Sequence, residues 1–247
     1  MKTTNKIMLA ALILLLLLLT SLMIYVRVNL KMGPLTEGSM NVVTETRQIA
    51  SFKAIEARGG LTVELRQDEE IGLTIEADDN LLELVVTEVD EEVLKIHLKE
   101  RVGKHKAIDV KVSFVTLEAL RASAGARVTS VNTLVGLALE HVLSSGAFSD
   151  LNLEFETLNL EATAGAHAKL AGKVTEFFIK SNAGSEVDAK DLQAENATIN
   201  TSSGAVNHIF VNNEMSIDAS SGAMVSYGGQ PVNKSIETSS GAEVKSL

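Results

Sequence analysis

The sequence predicts an all-β protein built as a right-handed parallel β-helix, and three features predict it. The first is a motif of small residues around a glycine, written seven times. The copies are Ser123-Ala124-Gly125-Ala126, Ser144-Ser145-Gly146-Ala147, Thr163-Ala164-Gly165-Ala166, Asn182-Ala183-Gly184-Ser185, Ser202-Ser203-Gly204-Ala205, Ser220-Ser221-Gly222-Ala223 and Ser239-Ser240-Gly241-Ala242. Glycines at 125, 146, 165, 184, 204, 222 and 241 are 21, 19, 19, 20, 18 and 19 residues apart, a period of about 19 that belongs to a solenoid. The second is strand-like alternation before the motif, as in Leu158 and Leu160, Phe177 and Ile179, or Met215 and Ile217. The third is composition. The chain is 45% hydrophobic with no Trp, two Tyr and seven Phe, and a core of Leu, Ile, Val and Ala suits thin coils.

Each turn of the helix reads as two or three short strands joined by tight corners. Gly125, Gly146, Gly165, Gly184, Gly204, Gly222 and Gly241 are the corners, because glycine takes positive φ at no steric cost. The flanking serines are expected to bond corner backbone groups through their hydroxyls. The small residue after each glycine keeps the corner thin, so that the next coil sits directly above it. One coil cannot bury its apolar side alone, whereas coils stacked about 4.8 Å apart can. The right hand follows from the strong preference of parallel crossovers. A serine beside glycine also suggests a nucleophile, but no G-x-S-x-G elbow occurs, and seven equivalent serine sites are corners.

Ahead of the coils, Ile7 to Val26 is an uncharged run of 20 residues, with Lys2 and Lys6 before it and Arg27 and Lys31 after. As a helix it would reach about 30 Å, enough to cross a hydrocarbon core. A cleaved signal has a shorter apolar region and a small-x-small site, and none follows Leu22. Residues 1–31 therefore read as an uncleaved membrane anchor, with the domain on the extracytoplasmic side, periplasmic or at the cell surface. The chain has no cysteine, which removes disulfides, thiolate metal sites, a cysteine nucleophile and the acylated cysteine of a lipoprotein. The anchor segment carries four basic and no acidic residues, leaving 18 basic against 32 acidic residues in 32–247, a net charge of −14. Such a surface disfavours nucleic acid and anionic lipid headgroups.

Gly33-Pro34 and Gly38-Ser39 mark a linker over 32–45. Residues 46–116 then show strand alternation without the corner motif: Leu61, Val63 and Leu65; Leu73, Ile75 and Ala77; Val93 to Leu98; Ile108 to Val115. Asp68-Glu69-Glu70, Asp78-Asp79-Asn80 and Asp90-Glu91-Glu92 between them read as turns, and Leu81 to Val89 fits either a strand or a short helix. This stretch is expected to form irregular β coils that start and cap the solenoid, and 117–247 the regular repeats.

From about Thr46 to Leu247 the sequence resembles the head GIN domain family, described as putative autotransporter adhesins. Phe52-Lys53-Ala54-Ile55-Glu56 with Gly60-Leu61-Thr62-Val63-Glu64-Leu65-Arg66-Gln67 is similar to the family's first strands, and Glu76-Ala77-Asp78-Asp79-Asn80-Leu81-Leu82 to its next characteristic stretch. The serine-glycine-alanine coils match, as does Tyr227-Gly228-Gly229-Gln230-Pro231 before the last of them. The resemblance implies a β-helical extracytoplasmic domain and carries no catalytic residues. One departure is that members often bear a secretion or lipoprotein signal, whereas this chain keeps a run of membrane-helix length.

Motifs for chemistry are sparse. His141, His167 and His208 sit at offsets −5, +2 and +4 from their repeat glycines, so with His97 and His105 elsewhere no metal-binding column forms. His141 occupies a position where other coils place Leu or Ile, so either that coil is shifted or its ring faces a cleft; a satisfied structural histidine is the expected reading. The acidic turns offer oxygen ligands for calcium, but neither an EF-hand loop nor the calcium β-roll nonapeptide is present, and they read as solvated turns. Phosphate loops, dinucleotide fingerprints and zinc spacings are absent, and no cofactor is implied. Arg127, Lys169, Lys173, Lys180, Lys190, Lys234 and Lys245 scatter among coil offsets, which does not gather the basic and acidic groups a polysaccharide lyase needs.

Three functions stay open at this point. The leading one is a non-enzymatic, membrane-tethered ectodomain acting as an adhesion, scaffold or cell-envelope interaction module on envelope polysaccharide or protein. The second is a homo-oligomer pairing through an open C-terminal coil, whose backbone groups would be unpaired. The third is a polysaccharide-acting enzyme.

Overall fold

The computed structural model describes residues 12–23, 25 and 35–247. Two compact units divide the chain, residues 1–36 and 37–247. In the first, residues 12–23 are helical with exposed leucines. No helix among the described residues is long and apolar enough to cross a membrane. Part of the expected span from Ile7 to Val26, namely residues 7–11, 24 and 26, lies outside the described residues.

The second unit is a β-solenoid. Its strands are β1 (Val42–Arg47), β2 (Ala54–Arg58), β3 (Thr62–Gln67), β4 (Gly72–Asp78), β5 (Val85–Asp90), β6 (Val93–Leu98), β7 (Ile108–Phe114), β8 (Ala119–Ser123) and β9 (Arg127–Ser130). They continue as β10 (Leu134–Leu143), β11 (Phe148–Ala162), β12 (His167–Ser181), β13 (Glu186–Thr201), β14 (Val206–Ala219), β15 (Met224–Gly228), β16 (Asn233–Thr238) and β17 (Glu243–Ser246). Strands β11 to β14 each wrap a whole coil. In β11 the residues Ser149, Leu151, Leu153, Phe155, Leu158, Leu160 and Ala162 are buried while most residues between them face out.

Parallel pairing stacks the coils in register. Leu158 lies beside Phe177, Phe177 beside Ala197, and Ala197 beside Met215, so the small Ala197 sits between two large side chains of one inner column. A second column runs Leu120, His141, Leu160, Ile179, Ile199, Ile217, Ile236 without interruption.

Each corner is a four-residue turn in which two successive residues are left-handed. In Asn182-Ala183-Gly184-Ser185, Ala183 has φ 51° and Gly184 φ 68°, and the Ser185 N–H donates to the Asn182 carbonyl at 3.2 Å. That is the type I′ turn, which needs positive φ at both central residues. A Cβ on any of the seven corner glycines would meet nothing within 4 Å, so glycine serves the backbone angle there and not a lack of room. The residue after each glycine points inward; Ala126, Ala147, Ala166, Ser185, Ala205 and Ala223 are buried.

One expectation about the corners fails. The hydroxyls of Ser144, Ser145, Ser202, Ser203, Ser220, Ser221, Ser239 and Ser240 do not bond the corner backbone; the turn is closed by main-chain groups, and the second serine of each pair is exposed.

The first part of the unit winds out of chain order. Strands β2 and β3 form a coil that lies between β6–β7 on one side and β8–β9 on the other, all parallel. Beyond them β5 pairs antiparallel with β6, β4 with β7, and β1 with β4, so antiparallel strands cap these irregular coils. Between β4 and β5 the stretch Asp79–Leu84 is a short 3-10 helix, so the ambiguous segment is helix first and strand after.

Arg47 fastens the two edges of this cap. Its guanidinium donates from Nη1 to the Val85 carbonyl (2.6 Å) and to Thr87 Oγ1 (3.1 Å), and from Nη2 to the Leu82 carbonyl (3.0 Å). A charged donor half-buried among carbonyls contributes about 1.5–3 kcal/mol per bond at most, shared here among three. Arg47→Ala is expected to lower the melting temperature by roughly 4–8 °C, corresponding to about 2 kcal/mol in a domain of this size. Arg47→Lys should recover less than half of that, because lysine lacks the planar fork. Calorimetry of the three proteins checks it.

Candidate functional site

The polar interior is one place to look for function. His141 is fully buried in the column beside Leu120 and Leu160, so its coil is not shifted and its ring faces the core, not a cleft. Nδ1 lies 3.1 Å from the Leu120 carbonyl and Nε2 3.0 Å from Ser149 Oγ. A proton on Nδ1 satisfies both contacts: the ring donates to the carbonyl and accepts from the serine hydroxyl. Burial pushes the His141 pKa down to about 4, with the Leu120 bond opposing the shift. A second closed network joins Ser181, Thr201 and Asn207. The two hydroxyls bond each other, Ser181 Oγ meets Asn207 Oδ1, and Asn207 Nδ2 donates to Thr201, each at 2.9 Å. Both sets satisfy themselves inside the core and offer nothing outward.

The acidic cluster Asp78-Asp79-Asn80 is a clamp. Asp78 is buried and accepts the N–H groups of Met40 (2.9 Å), Lys106 (3.2 Å) and Ala107 (3.2 Å). Burial raises its pKa, but those amide bonds and the nearby His105 outweigh it and leave the carboxyl below its ordinary value. Asp79 accepts from the Ser39 hydroxyl and from Asn41 Nδ2, and these bonds lower its pKa. Asn80 receives the Ser39 N–H and donates to the Glu37 carbonyl. These carboxylates are occupied by N–H and O–H donors, so here the expected solvated turn is a backbone clamp. Gly38 is required in it, since a Cβ there would come within 2.1 Å of Asp78 Oδ2.

Beside the clamp lies an open groove of about 830 Å³. Its wall is the end of β6 and the following loop, and its other side is the Gly59-Gly60 corner of the β2–β3 coil with Ala124 of the next corner. Ile96 is buried and Leu98 and Val102 are half-buried along it. Arg58, Lys95, Lys99, Arg101, His97 and His105 bring charge and titratable nitrogen to its lining, against Glu56, Glu88 and Glu100. Arg58 is tied to Glu56 and Lys95 to Asp90, whereas Lys99 and Arg101 make no ion pair among the described residues. His97 and His105 thus belong to this groove, a gathering the sequence does not announce because it joins residues 56–60, 88–105 and 124.

The coil faces use their cations differently. Arg121 pairs with Glu140, Lys169 with Asp150 and Lys180 with Glu161, in each case across 19 residues to the adjoining coil. Arg127 stacks over Phe148, 4.1 Å from the ring centroid, and Phe148 meets His167 edge-on. These are rungs of the stack and not members of one site. Among the described residues no group of His, Cys, Asp and Glu is placed to hold a metal ion.

A family model described as "Putative auto-transporter adhesin, head GIN domain" matches residues 51–231. The chain belongs to the head GIN domain family. Solved structures share its fold. A Bacteroides fragilis protein described as a putative adhesin has a TM-score of 0.76 at 22% identity, covering 85% of this chain and 99% of its own. A Parabacteroides merdae putative adhesin has a TM-score of 0.71 at 17% identity, covering 87% of this chain and 100% of its own. A Parabacteroides distasonis protein described as a putative lipid binding protein has a TM-score of 0.66 at 18% identity, with 87% and 100% covered. No curated protein matches the chain. The family's stretches have visible physical roles here. The Asp78-Asp79-Asn80 run is the clamp. In Tyr227-Gly228-Gly229, a Cβ on Gly228 would press on the Phe210 ring at 3.0 Å, and one on Gly229 would strike the Val211 carbonyl at 2.1 Å.

His141 also gives a pH prediction. Its folded pKa lies below that of the unfolded chain, so the unfolded state binds the extra proton between pH 6.5 and about 4. Stability is therefore complete above about pH 6.5 and falls as pH drops toward 4, by roughly 3 kcal/mol. The double variant His141→Leu/Ser149→Ala removes the histidine without stranding the serine hydroxyl. Its unfolding free energy, measured by urea titration, is expected to decline across that window by roughly 3 kcal/mol less than that of the wild type.

Proposed function

We propose that this protein is a non-enzymatic, membrane-tethered module of the cell envelope that works by surface contact, as an adhesion or scaffold domain. In this reading the segment from Ile7 to Val26 anchors the chain, and the folded unit stands on the extracytoplasmic side. The observation that carries it is the in-register stack, in a family described as adhesins. Parallel register lines the outward side chains into rows about 4.8 Å apart, such as Glu161, Lys180, Asn200, Asp218 and Glu237. Such rows suit a repetitive partner, an envelope polysaccharide or an extended protein segment, better than they suit a single small substrate.

A second reading is self-association through the β16–β17 coil. It is favoured by Ile236, which continues the buried Ile199 and Ile217 column yet is 42% exposed, and by Val232 and Leu247 nearby, 77% and 73% exposed. Light scattering across a concentration series distinguishes it, since the first reading needs only a monomer.

The test of the leading reading uses whole cells and the purified unit. The full chain is expected in the membrane fraction, cleaved by protease only when the protease reaches the extracytoplasmic face, and released when residues 7–26 are deleted. A fragment for binding work must start before Glu37, because Glu37 to Asn41 hold the clamp. The fragment 33–247 should bind an envelope fraction and release no new reducing or unsaturated ends from polysaccharides. A full chain that stays in the cytosol, protected from protease on both sides of the envelope, would contradict the proposal.

A further inference from the structure

The net charge of the folded unit conceals a local reversal. Residues 32–247 hold 18 basic side chains in 216 positions, so eight consecutive positions would carry fewer than one on average. Residues 99–106, the loop joining β6 to β7, hold four: Lys99, Arg101, Lys104 and Lys106. All four are exposed, and none makes an ion pair among the described residues. Elsewhere the cations are mostly spent on neighbouring carboxylates; here they are left to solvent, with Glu100 the one acidic residue in the loop.

The loop is held firmly and in a particular place. The Lys104 N–H donates to the Glu37 carboxylate (2.8 Å), and the Gly38 N–H donates to the Lys104 carbonyl (2.8 Å). Asp78 fixes Lys106 and Ala107 through their amides. The basic loop therefore sits against the residues at which the chain enters the folded unit. Between Arg27 and Glu37 the chain can span at most about 35 Å. In a protein tethered through Ile7 to Val26, that length keeps Glu37, and the loop bonded to it, within reach of the membrane surface.

We propose that residues 99–106 form a docking face for the headgroups of an anionic phospholipid bilayer. The inference rests on the tethered reading above and deepens it: the protein would be held to the membrane at two points, by the apolar segment and by this loop. Half-buried Leu98 and Val102 line the groove together with Lys99 and Arg101 and add apolar surface beside those two cations. The strongly negative total charge does not forbid this. Eleven strands stack on the face that contains β1 and β17, so the unit is about 50 Å long. Salt screens charges beyond about 10 Å. The acidic rows of the distant coils are several screening lengths from the loop, and a membrane touching it meets the four loop cations with only the exposed carboxylates of Glu37 and Glu100 immediately beside them. The sequence expectation that anionic headgroups are disfavoured is thereby reversed for this one end.

Each cation near an anionic surface raises membrane partitioning by about fivefold. The fragment 33–247, which contains the whole core and the clamp, is mixed with phosphatidylcholine vesicles with and without about one third phosphatidylglycerol, and binding is read by sedimentation. It should bind the anionic vesicles, lose binding steeply with added salt, and ignore the neutral ones. The variant Lys99→Ala/Arg101→Ala/Lys104→Ala/Lys106→Ala should bind at least about 50-fold more weakly with an unchanged melting curve. Lys169→Ala/Lys180→Ala, on the coil faces, should bind within about threefold of the parent. Equal binding to both vesicle types, no binding to the anionic ones, or an unaffected loop variant would overturn the proposal. So would complete displacement by millimolar inorganic phosphate, which would mark a site for a free phosphate group instead of a surface. The two readings fail separately, because the vesicle assay lacks the apolar segment and the cell fractionation retains it with or without the loop cations.

Discussion

One hydrogen bond, repeated from corner to corner, sets the rest of the architecture. In each type I′ turn the central peptide stands across the plane of the turn, so its carbonyl and N–H point along the stack. The glycine N–H accordingly donates to the carbonyl of the left-handed residue one coil further on. The series runs Gly125 to Ser145, Gly146 to Ala164, Gly165 to Ala183, Gly184 to Ser203, Gly204 to Ser221 and Gly222 to Ser240, every bond at 3.1 Å. A serine or alanine held left-handed costs about 1–2 kcal/mol. A buried or partly shielded hydrogen bond returns about 0.5–1.5 kcal/mol. The corner is therefore close to neutral by itself and is worthwhile only when another coil lies above it. That makes the stack cooperative and fixes its register, since a slip of one residue would move the glycine N–H away from its acceptor.

From that register follow the two inner columns and the placement of everything polar. His141 intrudes into a column of Leu and Ile, and Ser149 intrudes into the opposite column of the adjoining face, eight residues later across a corner. Either alone would be an unsatisfied buried group; together they close. The Ser181, Thr201 and Asn207 ring repeats the device two coils on. At the other extreme of the unit the parallel order gives way to antiparallel strands, and Arg47 occupies the carbonyls of Val85 and Leu82. A sheet edge so occupied is a poor template for another chain.

The regular half was legible because a backbone requirement recurs: positive φ calls for glycine, and seven glycines at even spacing leave a mark no other constraint erases. The left-handed residue before each glycine left no mark, since Ala124 or Ser203 is an ordinary choice in any strand or loop. The coil formed by β2 and β3 was not placed by the sequence because stacking order departs from chain order there. Its Gly59-Gly60 pair, with Gly59 at φ 90°, is the trace it leaves. Asp78, Asp79 and Asn80 read as a solvated turn because their partners, Glu37 to Asn41, lie some 40 residues away in what reads as a linker; β1 begins at Val42, inside that stretch. His141 stood out as a polar residue in an apolar position, whereas Ser149 went unremarked because serine is common on either face of a strand. The cations of the β6–β7 loop carried no motif and became informative only once the loop was seen beside Glu37.

Amide hydrogen exchange at the corner glycines tests the central claim most directly. Gly125, Gly146, Gly165, Gly184, Gly204 and Gly222 each donate to the next coil, whereas Gly241 has no such acceptor among the described residues. The account predicts slow exchange at the first six amides, set by opening of the stack, and fast exchange at Gly241. Exchange at all seven at the rate of an unstructured chain would contradict it, because the corners would then not be bonded into a column.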